Sequence, residues 1–461
     1  MKIRFGKLLR NMALMLLGSA FLGTVLLVLV FCLPTAKMKQ HVASSMDYML
    51  KSVDQVPGGS LSAYIQSERE SYTDAIMVQN AIERIPGKNV YEHAMWMYHN
   101  DLEEDFWTPE DSLKAYCAGQ DTHSMYLHEY SRYWHGYLVY LKPLLLLFSW
   151  KQISIMGVAL QILMMAAVAA LSVKRKQICV TVAMLAGFLF MKPFLVLVSL
   201  TMTVCWVITL AALLVMLLRN DWLQEKKWYP EFFLAVGIFT SYFDFLTYPV
   251  VTLGFPLCVY FLLNGDRSFG KSGLAGKSRR TDRAGMSLGR EWWPFLKETV
   301  GKMAGYSMCW GIGYGGMWAM KWIIADLTLH TGTIKDAVWS IIGRTEAIGG
   351  RPRFNGGFYV IGLNLQEYGH VIYPVMAAAI ALASLALVIV ACRRKGISVV
   401  LPGMVPYMIA FCIPFVWIIA VQHHSALHAR FTFRILAVAV MAVGCMGLKA
   451  LEIVTGKEKD Y

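Results

Sequence analysis

The chain has 461 residues, of which 57% are hydrophobic and only 16% are charged, and its formal net charge is +13. Soluble domains carry about 25% charged residues, so this composition excludes an ordinary soluble protein and indicates a membrane protein. The basic residues lie in short runs between apolar stretches, which is a topology signal and not a nucleic-acid-binding surface. We therefore expect membrane lipid, and no nucleic acid, among its partners.

Residues 1–34 predict a signal-anchor helix. Four basic residues among the first ten precede an apolar run from Met12 to about Pro34. This run is longer than the 7–15 apolar residues of a cleaved signal peptide. It matches the ~20 residues that a spanning helix needs. The pattern predicts an uncleaved helix with a cytoplasmic N-terminus.

Residues 35–150 form the large polar stretch of the chain. Residues 35–135 hold fifteen acidic and eight basic residues, a net charge of −7, which is compatible with export. Residues 61–86 have the pattern of an amphipathic helix. Residues 136–148 are apolar but too short to span, and they predict an interfacial helix. We expect an extracytoplasmic first loop that carries the functional site.

The remaining chain alternates between apolar stretches and short basic runs. Residues 151–264 predict transmembrane helices with a turn at Lys192, and the basic stretch 265–298 predicts a cytoplasmic loop. Residues 299–461 predict further spans around an extracytoplasmic loop at 326–370. The predicted fold class is an all-α, polytopic transmembrane helical bundle of about ten spans, with both termini in the cytoplasm. This topology, set by Lys and Arg alone, places all eleven histidines outside, which indicates one functional face unless histidine simply avoids apolar spans.

Asp74 is the first candidate for chemistry. A carboxylate in the first turn of a helix outside the membrane can act as a general base on a hydroxyl. The same position also suits a structural role, because Asp complements the helix dipole there. The acidic cluster of Asp101, Glu103, Glu104 and Asp105 is interpreted as solvated surface.

The stretch 423–434 is the second candidate. On a helix, His424 and His428 share one face, as do Arg430 and Arg434, and His423 lies beside them. Ionisable residues next to apolar spans are costly, which favours a function, and Arg and His are suited to phosphate oxygens. The alternative is an interfacial anchor.

Several other polar residues each allow two interpretations. Asp244 lies in an apolar stretch and predicts either a buried ion pair or a substrate contact. Arg344, Arg351 and Arg353 lie in the glycine-rich stretch 326–370 and predict either an anion-binding loop or a solvated one. The glycines at 311–316 match a dinucleotide-binding pattern, but no strand precedes them, so close helix packing explains them better.

The order of these features resembles the GT-C superfamily of polytopic membrane glycosyltransferases. The similarity rests on the signal-anchor helix, the large polar loop, and the segments Tyr-Trp-His-Gly-Tyr, Phe-Asp-Phe-Leu-Thr-Tyr-Pro and His-His-Ser. Multi-span proteins of Gram-positive bacteria are similar in the same segments. The resemblance implies that a sugar moves from a polyprenyl-phosphate carrier to an acceptor on the extracytoplasmic face of the cell membrane, with inversion.

The resemblance also implies roles for particular residues. It assigns the base to Asp74, with Asp47 and Asp105 as alternatives, because no adjacent acidic pair follows the first span. The residues that it implies for the lipid phosphate are Arg132, His135, Lys142, His424, His428, Arg430 and Arg434. We expect residues 123–142 and 423–434 to meet at the outer membrane surface.

No cofactor is required by the sequence. Most of the nine cysteines lie in apolar segments, and Cys117 alone falls in the first loop, so no disulfide framework or zinc spacing is present. We assign no metal ligands, although a divalent metal is compatible with the chemistry. Two other functions stay open: a transporter or flippase for a lipid-linked or anionic substrate, and a non-enzymatic membrane assembly protein.

Overall fold

The computed structural model describes residues 2–50, 71–102, 108–119, 125–271 and 288–456. These residues are almost entirely helical, so the predicted all-α class is confirmed for them. Two short strands, β1 (Tyr98–Leu102) and β2 (Met125–Glu129), pair antiparallel in the polar stretch. The helices in chain order are α1 (Lys2–Phe31), α2 (Ala36–Ala43), α3 (Met46–Leu50), α4 (Ser71–Ile82), α5 (Val90–Trp96), α6 (Pro109–Ala118), α7 (Leu138–Leu147), α8 (Trp150–Lys174), α9 (Ile178–Leu189), α10 (Pro193–Val198), α11 (Leu200–Glu225), α12 (Tyr229–Phe243), α13 (Val250–Lys271), α14 (Leu288–Leu329), α15 (Thr333–Thr345), α16 (Arg353–Gln366), α17 (Ile372–Lys395), α18 (Ile397–Ala420), α19 (Gln422–Leu427), α20 (Ala429–Thr432) and α21 (Ala437–Thr455).

Six helical segments of the described residues are long and apolar enough to cross a membrane, which indicates a multi-pass membrane protein. The expected count of ten spans is not confirmed by these six segments and stays a prediction. Three further apolar helices, α7, α9 and the start of α13, are shorter than a bilayer core of ~30 Å requires. The six candidate spans are Gly6–Phe31, Trp150–Lys174, Leu200–Glu225, Ile372–Lys395, Ile397–Ala420 and Ala429–Thr455.

The stretch 326–370, which was predicted as an extracytoplasmic loop between spans, is helical over much of its length. It folds into α15 and α16, joined by a 3-10 turn at Ile348–Gly350. The Asp326 carboxylate accepts hydrogen bonds from the backbone N–H of Thr333 (2.6 Å) and Ile334 (3.0 Å), and so caps the start of α15. The glycines Gly349 and Gly350 adopt positive φ in the turn itself. The described residues of the predicted basic loop at 265–298 are helical, because α13 extends to Lys271 and α14 begins at Leu288.

Helices α12 and α14 pack with their backbones in contact. A Cβ atom on Gly313 would lie 2.2 Å from the Leu234 carbonyl oxygen, and one on Gly237 would lie 2.1 Å from the Trp310 carbonyl oxygen. Such approach is open only to glycine. The interpretation of the 311–316 glycines as a helix-packing surface is therefore confirmed for Gly313 and for Gly316, where a Cβ would lie 3.0 Å from the Leu16 side chain, but not for Gly311 and Gly315.

We expect Gly313→Leu to lower the thermal unfolding temperature of the detergent-purified protein far more than Gly311→Leu does. Leucine at 313 forces the two helices apart, which costs about 3 kcal/mol for an overpacked site. Gly311 is a matched control on the same helix, because a Cβ there meets nothing within 4 Å. Equal losses for the two variants would contradict close packing at Gly313.

The polar stretch folds onto the helical bundle as a first-loop domain, defined here as residues 36–50, 71–102, 108–119 and 125–147. Several hydrogen bonds fasten its last segment, and two of them lie next to His135 in the chain. The Trp134 indole N–H donates to the Met317 carbonyl (2.6 Å), and the Gly136 N–H donates to the Tyr242 carbonyl (2.9 Å). These contacts fix the path of the chain on either side of His135.

Candidate functional site

A cavity of about 130 Å³ lies where separate parts of the chain meet at the end of α12 and the start of α13. Residues 130–137 form one side, and residues 424–431 form another. The predicted meeting of the 123–142 and 423–434 segments is therefore confirmed for their described residues. The volume is sufficient for several water molecules. The lining residues are Tyr72, Thr73, Ile76, Met77, Tyr130, Tyr133, His135, Tyr137, Phe245, Leu246, Thr247, Arg344, His424, His428 and Phe431.

His135 stands in the aromatic wall of the cavity. Its ring is 3% exposed, with Nε2 3.1 Å from the Tyr130 carbonyl and Nδ1 3.2 Å from the Tyr137 hydroxyl. Its φ of 52° is uncommon for a residue other than glycine. Burial lowers the pKa of His135 to about 3, so the ring is neutral at physiological pH.

His424 stands in the facing wall, on α19. Its Nε2 lies 3.0 Å from the Leu246 carbonyl, and this oxygen can only accept, so Nε2 carries the hydrogen. Nδ1 is then an unprotonated acceptor, and within the described residues it is buried without a hydrogen-bond partner. The His428 ring is 4.7 Å away, as the predicted shared helix face requires. Burial, with smaller effects from His428 and Arg344, lowers the pKa of His424 to about 3.

A strained turn presents that carbonyl to His424. Leu246 has φ of 76°, which is an outlier for a bulky residue and costs on the order of 1–3 kcal/mol. The Asp244 carboxylate holds the turn by accepting from the N–H of Leu246 (2.9 Å) and of Thr247 (3.0 Å), and from the Thr247 hydroxyl. Asp244 does not line the cavity. Asp244 instead positions Leu246, whose carbonyl oxygen contacts His424 in the cavity wall.

Arg344 is the arginine that the 326–370 stretch brings to the cavity. It donates a hydrogen bond to the Tyr133 hydroxyl, and its guanidinium lies 5.6 Å from the centroid of that ring. Arg351 and Arg353, which were predicted with it, are exposed outside the lining. Arg351 stacks on the Tyr359 ring at 4.1 Å, and Arg353 donates to the Ala420 carbonyl at 3.1 Å.

Several residues predicted for the phosphate point elsewhere. The Arg132 guanidinium pairs with Asp336 (2.8 Å) at α15. The Lys142 ammonium is buried in the first-loop domain and donates to the Ala81 carbonyl at 2.5 Å. The Arg434 side chain is also buried and donates to the Met191 carbonyl at 3.0 Å. None of these three lines the cavity, and neither do the half-buried His423 and the exposed Arg430.

Asp74 occupies a buried capping position between α4 and α11. It is 2% exposed and accepts from the backbone N–H of Leu200 (3.1 Å) and of Thr201 (2.9 Å). The hydroxyls of Ser199 (3.2 Å) and Thr201 (2.6 Å) donate to it as well. These donors belong to the first turn of α11, where orphan N–H groups need an acceptor. The geometry gives Asp74 a structural role at the start of α11 and not in its own helix, and the role of base stays a prediction. Asp47 is exposed in α3, and Asp105 lies outside the described residues.

The sequence interpretation missed a second cluster. Asp101, which was read as solvated surface, lies between two imidazoles: its Oδ2 is 3.1 Å from His128 Nε2 and 3.6 Å from His99 Nε2. The signal was hidden because the three residues meet only through the pairing of β1 with β2, which the loop prediction did not include.

The neutral state of His424 predicts acid sensitivity. Its folded-state pKa lies below the unfolded value of ~6.5, so the unfolded chain binds the proton first and stability falls as pH drops from about 6.5 toward 3. Between pH 7 and pH 5 this group alone costs about 2 kcal/mol. Thermal unfolding at both pH values should show a smaller pH-dependent loss in His424→Gln than in the wild type. An equal loss would mean that His424 titrates normally.

Comparison of the chain with family models, with curated proteins and with solved structures gives no match. The cavity lining combines aromatic rings, the neutral imidazoles of His135 and His424, and the Arg344 guanidinium. Such a set can hold a flat ligand surface, accept a proton from a hydroxyl and bind an anion.

Proposed function

We propose that this protein is a membrane glycosyltransferase that moves a sugar from a polyprenyl-phosphate carrier to an acceptor hydroxyl on the extracytoplasmic side. The observation that carries the proposal is the cavity in which Arg344, His424 and a group of aromatic rings meet at one end of the membrane helices. A GT-C-like arrangement of about ten spans, with both termini in the cytoplasm, belongs to the same proposal.

The aromatic wall supports binding of a sugar ring. Tyr130, Tyr133 and Phe245 surround His135, with ring centroids 5.1 Å, 6.1 Å and 6.2 Å from the imidazole. Flat rings offer apolar faces to the C–H groups of a sugar, and tyrosine hydroxyls offer hydrogen bonds to its oxygens. A lipid tail needs no closed pocket, since the candidate spans Ile397–Ala420 and Ala429–Thr455 flank the lining residue His424 in the chain.

Arg344 supports binding of the carrier phosphate. Its guanidinium is a permanent cation with a planar fork of donors, and part of that fork already bonds to the Tyr133 hydroxyl. His428 lies at the exposed side of the same cavity. Positive charge placed against the departing phosphate stabilises the negative charge that develops as its bond to the sugar breaks.

His424 is the proposed proton acceptor. The acceptor hydroxyl donates to Nδ1, its oxygen attacks the anomeric carbon, and the bond from that carbon to the phosphate oxygen breaks. The electron pair leaves with the polyprenyl phosphate, and the anomeric centre inverts. A pKa of about 3 makes free His424 a weak base, and the negative charge of a bound phosphate raises it toward the useful range.

Binding of polyprenyl phosphate tests the site without knowledge of the sugar. We expect Arg344→Gln to weaken binding of undecaprenyl phosphate by roughly 10–100-fold, the loss typical of a charge-assisted hydrogen bond. Arg351→Gln is the matched control, because Arg351 lies outside the cavity lining. Native mass spectrometry of the detergent-purified protein measures both. Equal binding by wild type and Arg344→Gln would remove the phosphate site from this cavity.

Turnover distinguishes an enzyme from a transporter. The purified protein is incubated in detergent with a panel of radiolabelled polyprenyl-phosphate sugars, and release or transfer of the sugar is followed. An enzyme breaks the sugar–phosphate bond without a sealed membrane. Movement of intact carrier across sealed vesicles, with no bond cleavage for any sugar, would instead favour the flippase alternative.

A further inference from the structure

The paired strands β1 and β2 bring three metal-binding side chains to one face. The register sets His99 opposite His128, and Asp101 opposite Tyr126. Side chains two residues apart on a strand lie on the same face, so His99 and Asp101 share a face, and His128 joins them across the strands. The imidazoles of His99 and His128 are stacked, with centroids 5.3 Å apart and an interplanar angle of 12°.

The distances suit a single small cation. One ligand atom from each of the three side chains lies within 4.8 Å of the other two. Both imidazole Nε2 atoms face the same Asp101 oxygen, at 3.1 Å and 3.6 Å. Ligand atoms ~2.0–2.1 Å from a tetrahedral zinc ion are about 3.3 Å apart, so small side-chain movements close the set around an ion.

The surroundings of the cluster favour a bound ligand over a solvated surface. His99 is 5% exposed, whereas the His128 side chain is 46% exposed, so the cluster is anchored inside and open on one side. Within the described residues, the buried Oδ1 of Asp101 has no hydrogen-bond partner within 3.5 Å, although the Ser112 hydroxyl lies near enough to the carboxylate to stabilise its charge. A cation gives that oxygen a partner, either directly or through a coordinated water molecule.

We propose that His99, Asp101 and His128 form a transition-metal site, with Zn²⁺ as the ion whose chemistry fits best. Imidazole ligands suit zinc and its neighbours, whereas Mg²⁺ and Ca²⁺ take oxygen ligands. Two His and one carboxylate leave a fourth position for water on the open side. The site is separate from the glycosyl-transfer cavity and does not depend on that assignment.

The ion would fasten the wall of the cavity. Strand β2 ends at Glu129, and the next residue, Tyr130, donates its N–H to the Trp96 carbonyl (2.9 Å) and lines the cavity. A metal that ties β2 to β1 therefore holds the start of the segment that carries Tyr133 and His135. Removal of the metal should loosen this wall.

The test uses the full chain, purified through a histidine-free affinity tag, stripped with a chelator and titrated with Zn²⁺ by calorimetry. The wild type should bind one ion per chain and unfold at a higher temperature with Zn²⁺, and Mg²⁺ should not compete. His128→Asn should bind at least roughly a hundredfold more weakly, because loss of a direct ligand costs more than the ~10–100-fold loss that follows removal of an outer-shell partner. His330→Asn replaces an exposed histidine outside the cluster and should bind as the wild type does.

A second variant separates loss of a ligand from loss of folding. His128→Cys keeps a zinc ligand at the same position, so it should bind metal again, and its Co²⁺ complex should show a sulfur-to-metal absorption absent from the wild type. Absence of a saturable Zn²⁺ site in the wild type, unchanged binding in His128→Asn, or a folded His128→Cys protein without that absorption would each overturn the proposal.

Discussion

Replacement of His424 by glutamine is expected to reduce sugar transfer by about 10²–10⁴-fold while the protein stays folded, if His424 takes the proton from the acceptor. Glutamine places its amide nitrogen near the position of Nε2, so the hydrogen bond to the Leu246 carbonyl can persist. It lacks the basic nitrogen that His424 offers at Nδ1. The rate constant for transfer at saturating carrier should fall, with little change in carrier binding.

The matched control is His423→Gln. It changes the adjacent residue of the same short helix, but His423 does not line the cavity. Transfer should therefore stay within about twofold of the wild type, as for most substitutions outside a site. A His424→Gln protein that retains full transfer would exclude His424 as the proton acceptor and would leave the phosphate site at Arg344 to be judged by its own binding experiment.

Asp74→Asn is expected to lower the free energy of unfolding by on the order of 3 kcal/mol. Asparagine keeps the shape of the side chain but turns one acceptor oxygen into an N–H₂ donor. That donor faces the N–H groups of α11, so buried donors lose their acceptor and the cap loses its charge. Thermal unfolding in detergent measures the loss, and the folded fraction that remains should transfer sugar at a near-normal rate per molecule.

Asp47→Asn is the control for this prediction. Asp47 lies in the same first-loop domain but is exposed, so its replacement should leave stability within about 0.5 kcal/mol. A stable Asp74→Asn protein that has lost transfer would reverse the assignment and return Asp74 to the role of base. A stable Asp47→Asn protein that has lost transfer would instead identify Asp47.

Local patterns predicted the features that depend on near neighbours. The spacing of His424 and His428 predicted a shared helix face, and the glycines at 311–316 predicted close packing. Lys192 was expected at a turn, and it lies between α9 and α10 with φ of 53°. Each of these features follows from helix periodicity or from backbone sterics, and both depend only on the spacing and type of neighbouring residues.

Features that depend on distant partners could not be predicted. Asp74 was correctly placed in the first turn of a helix, but its partners lie 125–127 residues further along the chain, at Ser199 to Thr201. Its role follows from those partners and not from its own helix. His99 meets His128 only because β1 pairs with β2, and the sequences of two short polar strands do not predict that pairing. The residue type at position 246 did not predict its positive φ, because leucine disfavours the left-handed region of backbone conformation.

The walls of the cavity are also synthesised at different times. Residues 72–77 and 424–431 both line it, and most of the chain is made between them. At ~5–20 residues per second, on the order of 20–70 s pass between synthesis of the two walls. Throughout that interval residues 72–77 lack the facing wall at residues 424–431. The cavity described above can therefore form only after residues 424–431 have been made.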